Sequence, residues 1–288
     1  MDAKYPKSFA RSRSKKAMEL SVRRIINSIN YRLVGPLTRR NERNWASKTD
    51  FRRTHNQQFK NLKANYSVDD AARIAVGGEF DAVGRLLKET LIFHGLKKDH
   101  YLVDVGCGSG RLAKPLSEYL TGKYLGIDVV PGLVDYARHL VGRPDWRFEV
   151  AQGLKIPEAD AQADMVSFFS VVTHLLHEEA FVYLREARRV LKPGGKVVLS
   201  FLDFRVDGHW EIFHTNIRDI GVGSKPLNIF IAPDMLREWA RRLDFEVEVI
   251  KDGDVPYIPL SEPITFENGK VWNELAPFGQ SLCVLVAS

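Results

Sequence analysis

Between residues 100 and 202 the apolar positions come in short runs, each followed by a longer stretch of helical period. Tyr101–Val105, Lys123–Asp128, Trp146–Ala151, Ala163–Phe169 and Lys196–Leu202 read as strands. Arg111–Tyr119, Pro131–Leu140 and Glu178–Leu191 read as the helices between them. Short, almost wholly apolar strands alternating with helices predict a doubly wound α/β domain with a parallel sheet covered on both faces. Upstream, Phe80, Val83, Leu86 and Leu87 fall at helical steps and predict a helical lead-in. Downstream, Asp234–Arg242 reads as a helix, and Phe245–Lys251 and Ser281–Ala287 as strands.

The N-terminal part has a different pattern. Met18, Val22, Ile25, Ile26, Ile29 and Leu33 form a stripe at three- and four-residue steps, which predicts a helix over 17–34 stopped by Gly35-Pro36. Charge sets this part off further. Residues 1–60 hold 16 Lys+Arg and 4 Asp+Glu, whereas residues 61–288 hold 26 and 32. The net charge of +6 therefore belongs to the arm, and the mildly acidic body argues against a nucleic-acid groove across it. The domain reading is a basic, helical extension at 1–66 and a catalytic body at 67–288, with lid insertions near 203–232 and 252–280. A basic amphipathic helix suits peripheral contact with an anionic membrane through residues 15–40. The same stripe also suits packing on the body or on a second subunit. The two cysteines, Cys107 and Cys283, are far apart and make no disulfide framework, so a cytoplasmic, membrane-peripheral location is expected. No apolar run approaches the length of a membrane span, and no secretory signal is visible.

The chemistry lies in "YLVDVGCGSGRL" and "YLGIDVV". Gly106, Gly108 and Gly110 let a ligand approach the backbone where strand runs into helix. Their spacing is not the G-x-G-x-x-G of a dinucleotide turn. Asp104 would repel a pyrophosphate and suit an ammonium. Asp128, at the tip of the second strand, is placed to accept hydrogen bonds from ribose hydroxyls.

These segments, with "ADMVSFFSVVTHL" and "LREARRVLKPGGKVVLSF", resemble the class I S-adenosylmethionine-dependent methyltransferases over about residues 78–203. "QSLCVLVAS" resembles that family's reversed final strand, which implies a mostly parallel seven-stranded sheet. The resemblance implies S-adenosyl-L-methionine as donor. It puts Asp104 and Gly106 at the amino-acid end, Gly108 and Gly110 in the turn, Asp128 on the ribose and Val129 on the adenine. Gln152, Gly153 and Leu154 would serve the adenine where the family often has an acid, and Phe169 and Ser170 would lie under the donor.

On the acceptor side His174 is the candidate base, since a neutral imidazole can take a hydroxyl proton near pH 7. A capping or packing histidine is the alternative. His177 reads as solvent-facing. Asp203 reads as an acceptor contact or a loop cap, and His209, Trp210 and His214 as surface residues of a lid. No Cys/His cluster suggests a metal, so none is expected. The preferred activity is O-methylation of a glycan or small-metabolite hydroxyl. The alternatives are a protein or RNA methyltransferase docked by the arm, and a catalytically silent donor-binding scaffold.

Overall fold

The computed structural model describes residues 51–77, 79–218 and 228–288, and residues 51–288 form one unit. The helix expected at 17–34, and part of the expected 203–232 lid, lie outside the described residues.

Helices α1 (Phe51–Asn65), α2 (Val68–Ala75) and α3 (Phe80–Phe93) precede the sheet. Then come β1 (Leu102–Val105), α4 (Ala113–Leu116), β2 (Tyr124–Asp128), α5 (Pro131–Val141), β3 (Arg147–Val150) and β4 (Ala163–Phe168). A 3₁₀ turn at Val172–His174, α6 (His177–Val190), β5 (Leu191–Phe201), α7 (Asp207–Arg218), α8 (Pro233–Arg242), β6 (Phe245–Lys251) and β11 (Ser281–Ala287) complete the main layers. Four two-residue strands, β7 (Ile258–Pro259), β8 (Ile264–Thr265), β9 (Val271–Trp272) and β10 (Leu275–Ala276), pair as β7–β10 and β8–β9 within the second insertion.

The main sheet has seven strands in the order β3-β2-β1-β4-β5-β11-β6. β11 runs antiparallel to both neighbours, while the other pairings are parallel. This is the architecture expected from the sequence. Successive residues feed opposite cores: Val103 and Val105 enter the layer under α6 and α8, and Leu102 the layer under α3 and α5. That burial on both faces explains the unbroken apolar runs. Cys107 and Cys283 are both buried. The order reverses between β1 and β4, and the crevice at their C-terminal ends is where such sheets bind ligands.

One element departs from the sequence reading, and two others add detail to it. The helix expected at Arg111–Tyr119 is four residues long: Pro115 offers no N–H to Arg111 O, which shortens its start, and Tyr119 N–H turns to Leu116 O, which ends it. Helix α1 carries no apolar stripe: Phe59 is its one buried residue. It seats where Gly132 has no Cβ, since a Cβ there would lie 2.7 Å from the Phe59 ring. Helix α7 fills the described part of the first insertion. No helix among the described residues is long and apolar enough to cross a membrane.

Candidate active site

A cleft of about 840 Å³ opens at the C-terminal ends of β1, β2 and β4. Volumes of this order hold drug-sized ligands. Gly106 and Gly108 line it from the β1 turn, Asp128, Val129 and Val130 from the end of β2, and Phe169, Ser170, Val171 and His174 from beyond β4. Helix α1 overhangs it with Phe51, His55 and Gln58, and Asn216, Asn228 and Gln280 line it from later in the chain.

The glycine turn is built for close packing. Gly106 has φ +78°, and a Cβ on it would lie 2.3 Å from Val171 Cγ2. Gly108 has φ +53°, and its Cβ would lie 2.7 Å from Val76 Cγ1. Both positions need the left-handed region and empty space. Gly110 is off the cleft wall and packs on α5, where its Cβ would lie 3.1 Å from Ala137 Cβ.

Asp128 fastens the turn. One carboxylate oxygen accepts from Gly108 N–H at 3.0 Å and the other from Val130 N–H at 2.9 Å. Burial pulls its pKa above the ordinary value, and these N–H donors oppose the shift. Asp104 lies behind the turn rather than on the cleft wall. It is 3 % exposed, and its two oxygens accept from Tyr124 Oη and Ser167 Oγ, each at 2.8 Å. Burial pushes its pKa up to about 6. Arg111, on the wall, donates to Val76 O at 2.6 Å, and burial pulls it down to about 10.

Gln152, Gly153 and Leu154 are also off the wall, where Ala151 stands instead. Gly153 O accepts from Tyr183 Oη at 3.2 Å, and Leu154 packs on the core.

His174 faces the cleft, and the ring of His55 meets it edge-on with centroids 5.2 Å apart. Burial, with His174 adding to it, pulls His55 down to about 4, so His55 is neutral at pH 7. Sequence reasoning missed His55, Gln58, Asn216, Asn228 and Gln280. It also put His209 at the surface, whereas His209 is 2 % exposed. Its Nδ1 accepts from Asp203 N–H at 2.9 Å and its Nε2 bonds Gly279 O at 2.9 Å. His177, read as solvent-facing, bonds Phe230 O through Nε2 at 3.1 Å. Asp203 turns out to be a loop cap, accepting from Arg205 N–H and its guanidinium. No cluster of three or more metal-type side chains occurs among the described residues.

Residues 103–199 match a family model described as a methyltransferase domain. The chain is 30% identical over 178 residues to a ubiquinone biosynthesis O-methyltransferase of Ruegeria pomeroyi, covering 59% of this chain and 67% of that one. It is 28% identical over 144 residues to a chloroplastic tocopherol O-methyltransferase of Arabidopsis thaliana, covering 46% of this chain and 41% of that one. The chain thus spans about two thirds of the former relative and two fifths of the latter. Its fold is similar to that of magnesium protoporphyrin IX methyltransferase from Synechocystis with bound S-adenosylhomocysteine. The TM-score is 0.52 at 15% identity, covering 87% of this chain and all of that one.

Proposed function

The chain belongs to the class I S-adenosylmethionine-dependent methyltransferases, and from that we propose that it methylates a hydroxyl oxygen of a small molecule. The observation that carries this reading is one cleft holding both the Gly106–Gly108 turn with Asp128 and an imidazole, His174. When bound, S-adenosylmethionine supplies a methyl group on a sulfonium, ready for in-line displacement.

The residues fit such a donor. Asp128, fixed by two backbone N–H groups, holds the ribose. Val129 and Ala151 flank the adenine, with Gln152, Gly153 and Leu154 behind them. Gly106 receives the amino-acid end, and Asp104 acts on its ammonium from behind the turn through its charge. Phe169 and Ser170 support the donor from β4. His174 takes the hydroxyl proton as the oxygen attacks. The work left to the protein is positioning and this proton transfer.

The base narrows the acceptor. An ordinary imidazole has a pKa of about 6.5 and a phenol about 10, a gap of about 5 kcal/mol. An alkyl hydroxyl, near water at about 16, leaves a gap of about 13 kcal/mol. A phenolic hydroxyl is therefore favoured over the glycan that the sequence suggested. Phe51 and Phe169, which line the cleft, suit a flat ring.

The test is transfer of label from methyl-labelled donor to separate pools of phenols, glycans, RNA and protein, with the methylated atom located by mass spectrometry. Label on nitrogen or carbon, or on no pool, would defeat the reading. The arm is a separate question. Its excess of basic charge supports peripheral contact with anionic membranes through residues 15–40. Full-length protein that ignores anionic vesicles at low salt ends that idea.

A further inference from the structure

Gln280 stands just before β11, at the edge of the cleft. Because β11 runs antiparallel to β5, its first residues lie beside the C-terminal end of β5, with Ser281 opposite Phe201. Gln280 therefore shares the binding edge of the sheet with Ser170, two strand steps or about 10 Å away.

A chain of hydrogen bonds crosses those steps. Ser170 N–H can only donate, and it donates to Ser200 Oγ at 2.8 Å. The Ser200 hydroxyl donates its own proton to Gln280 Oε1 at 2.6 Å. The carboxamide oxygen is thus occupied, and the amide is held with its NH₂ as the remaining polar group. Ser170 keeps its end of the chain in the left-handed region, φ +57°, a conformation with a cost for a side-chain-bearing residue.

The peptide before Gln280 is clamped as well. Gly279 O can only accept, so Nε2 of the buried His209 carries the proton of that bond, while Nδ1 lies beside both the N–H and the carbonyl of Asp203. Gly279 N–H donates to Gly253 O at 2.7 Å. A Cβ on Gly253 would lie 2.4 Å from Gln280 C, so that approach needs glycine. On the other side Phe278 stacks on the cleft residue Phe169, with centroids 5.4 Å apart. A residue on a connecting segment is thereby fixed through both its side chain and the peptide before it. Such support is what a binding group requires.

We propose that Gln280 is a specificity-determining residue, whose carboxamide NH₂ donates to a second oxygen on the acceptor ring. This rests on the O-methyltransferase reading. The site then selects phenols bearing a further oxygen that can accept a hydrogen bond. Ser200 and His209 are positioning residues: they aim the amide and do not touch the acceptor.

The test compares phenol, the dihydroxybenzenes and the methoxyphenols as acceptors of labelled methyl, in the wild-type chain, Gln280→Glu and Gln280→Leu. A methoxy oxygen only accepts, whereas a hydroxyl either donates or accepts. Glutamate can still accept from Ser200 but turns an acceptor to the cleft. The wild type should prefer both oxygenated classes to phenol by about tenfold in kcat/KM. Gln280→Glu should keep a dihydroxybenzene and lose the methoxyphenols by about tenfold or more. Gln280→Leu should bring both classes down to phenol. S-adenosylhomocysteine affinity, read by calorimetry, should be unchanged in both variants. The same acceptor ranking in all three proteins overturns the assignment, as does a wild type equally fast on phenol. If the wild type labels the hydroxyl of another pool but none of these phenols, the assignment falls and O-methylation stands. If no hydroxyl compound takes label, the functional reading itself falls.

Discussion

The ring of His55, carried by α1, meets the ring of His174 edge-on at an interplanar angle of 67°. The two histidines are not equivalent. His55 is held at about 4 and gives up its proton far below neutral pH. On the proposed reading the acceptor's proton goes to His174 and not to His55. Replacing His174 with alanine should lower turnover by about 10²–10⁴-fold, the usual contribution of a general base. Its affinity for S-adenosylhomocysteine should stay as in the wild type. Near-normal turnover in this variant would leave positioning as the whole mechanism.

Asp128→Ala should weaken S-adenosylhomocysteine binding by about 1–3 kcal/mol, because ribose hydroxyls lose a charged acceptor. The variant should also melt at lower temperature, since Gly108 and Val130 N–H lose their acceptor. Calorimetry reads the first effect and thermal unfolding the second. Unchanged affinity with a lowered melting temperature would make Asp128 a fastener of the turn alone.

Gly106→Ala meets two separate penalties. The left-handed backbone costs about 1–2 kcal/mol for a residue with a Cβ. Contact with Val171 Cγ2 at 2.3 Å adds about 1–3 kcal/mol of overpacking. Adding Val171→Ala should recover the second part and leave the first. Denaturant unfolding of the two single variants and the double variant separates them. A double variant no more stable than Gly106→Ala would show that the methyl contact is not the cause.

Stability should fall on mild acidification. Burial holds His94 down at about 4, against about 6.5 when unfolded. Its contribution is complete above about pH 6.5 and is lost as pH falls towards 4. From pH 7 to pH 5 that amounts to about 1–2 kcal/mol. His55, at the cleft and also held at about 4, adds a share with the same sign. Asp104 offsets part of this loss, so the share of His94 is read as the difference between the wild type and His94→Gln in urea unfolding at both pH values, with the variant losing less. An equal pH dependence in the variant would assign the effect to other groups.

Asp104 acts in the opposite direction. Its pKa of about 6 in the folded chain lies above the unfolded value, so stability present at low pH is lost as pH rises through 6. Asp104→Asn has no charge to bury. Relative to the wild type it should gain about 1–2 kcal/mol between pH 5 and pH 8. Parallel stability curves for the two proteins would show that Asp104 does not titrate in this range.

The parts of the site legible in the sequence are those where the backbone itself imposes a residue type. Gly106 and Gly108 are required by positive φ and by Val171 and Val76, and the tip of β2 calls for an acid such as Asp128. Asp104 shows the limit of such reading. Its spacing puts it beside the ligand, but Tyr124 and Ser167, donors from the neighbouring strands, hold its carboxylate behind the turn. His55 left no trace because "FRRTHNQQFKNLKAN" buries a single phenylalanine, and Phe51 and Leu62, the other apolar residues that pack, are too few to set a period. Gln280 reaches the cleft only because the last strand is reversed. Its neighbours Ser170 and Ser200 stand 110 and 80 residues earlier, and local spacing carries no signal of that pairing.

The two buried thiols give the molecule a built-in reporter of its own opening. Cys107 and Cys283 are the chain's only cysteines. Burial pushes Cys283 up to about 12 and Cys107 well above its ordinary value, so neither offers appreciable thiolate while the fold is closed. Alkylation by iodoacetamide must therefore wait for exposure, and its rate measures how often exposure occurs. The positions sample different motions. Cys107 lies within the Gly106–Gly108 turn, whereas Cys283 lies in the strand between β5 and β6. Modification of Cys107 slowed by S-adenosylhomocysteine, with Cys283 unaffected, registers breathing of the turn alone. Equal slowing at both sites registers a single cooperative unit, in which a small molecule held at one end of the sheet stills the other.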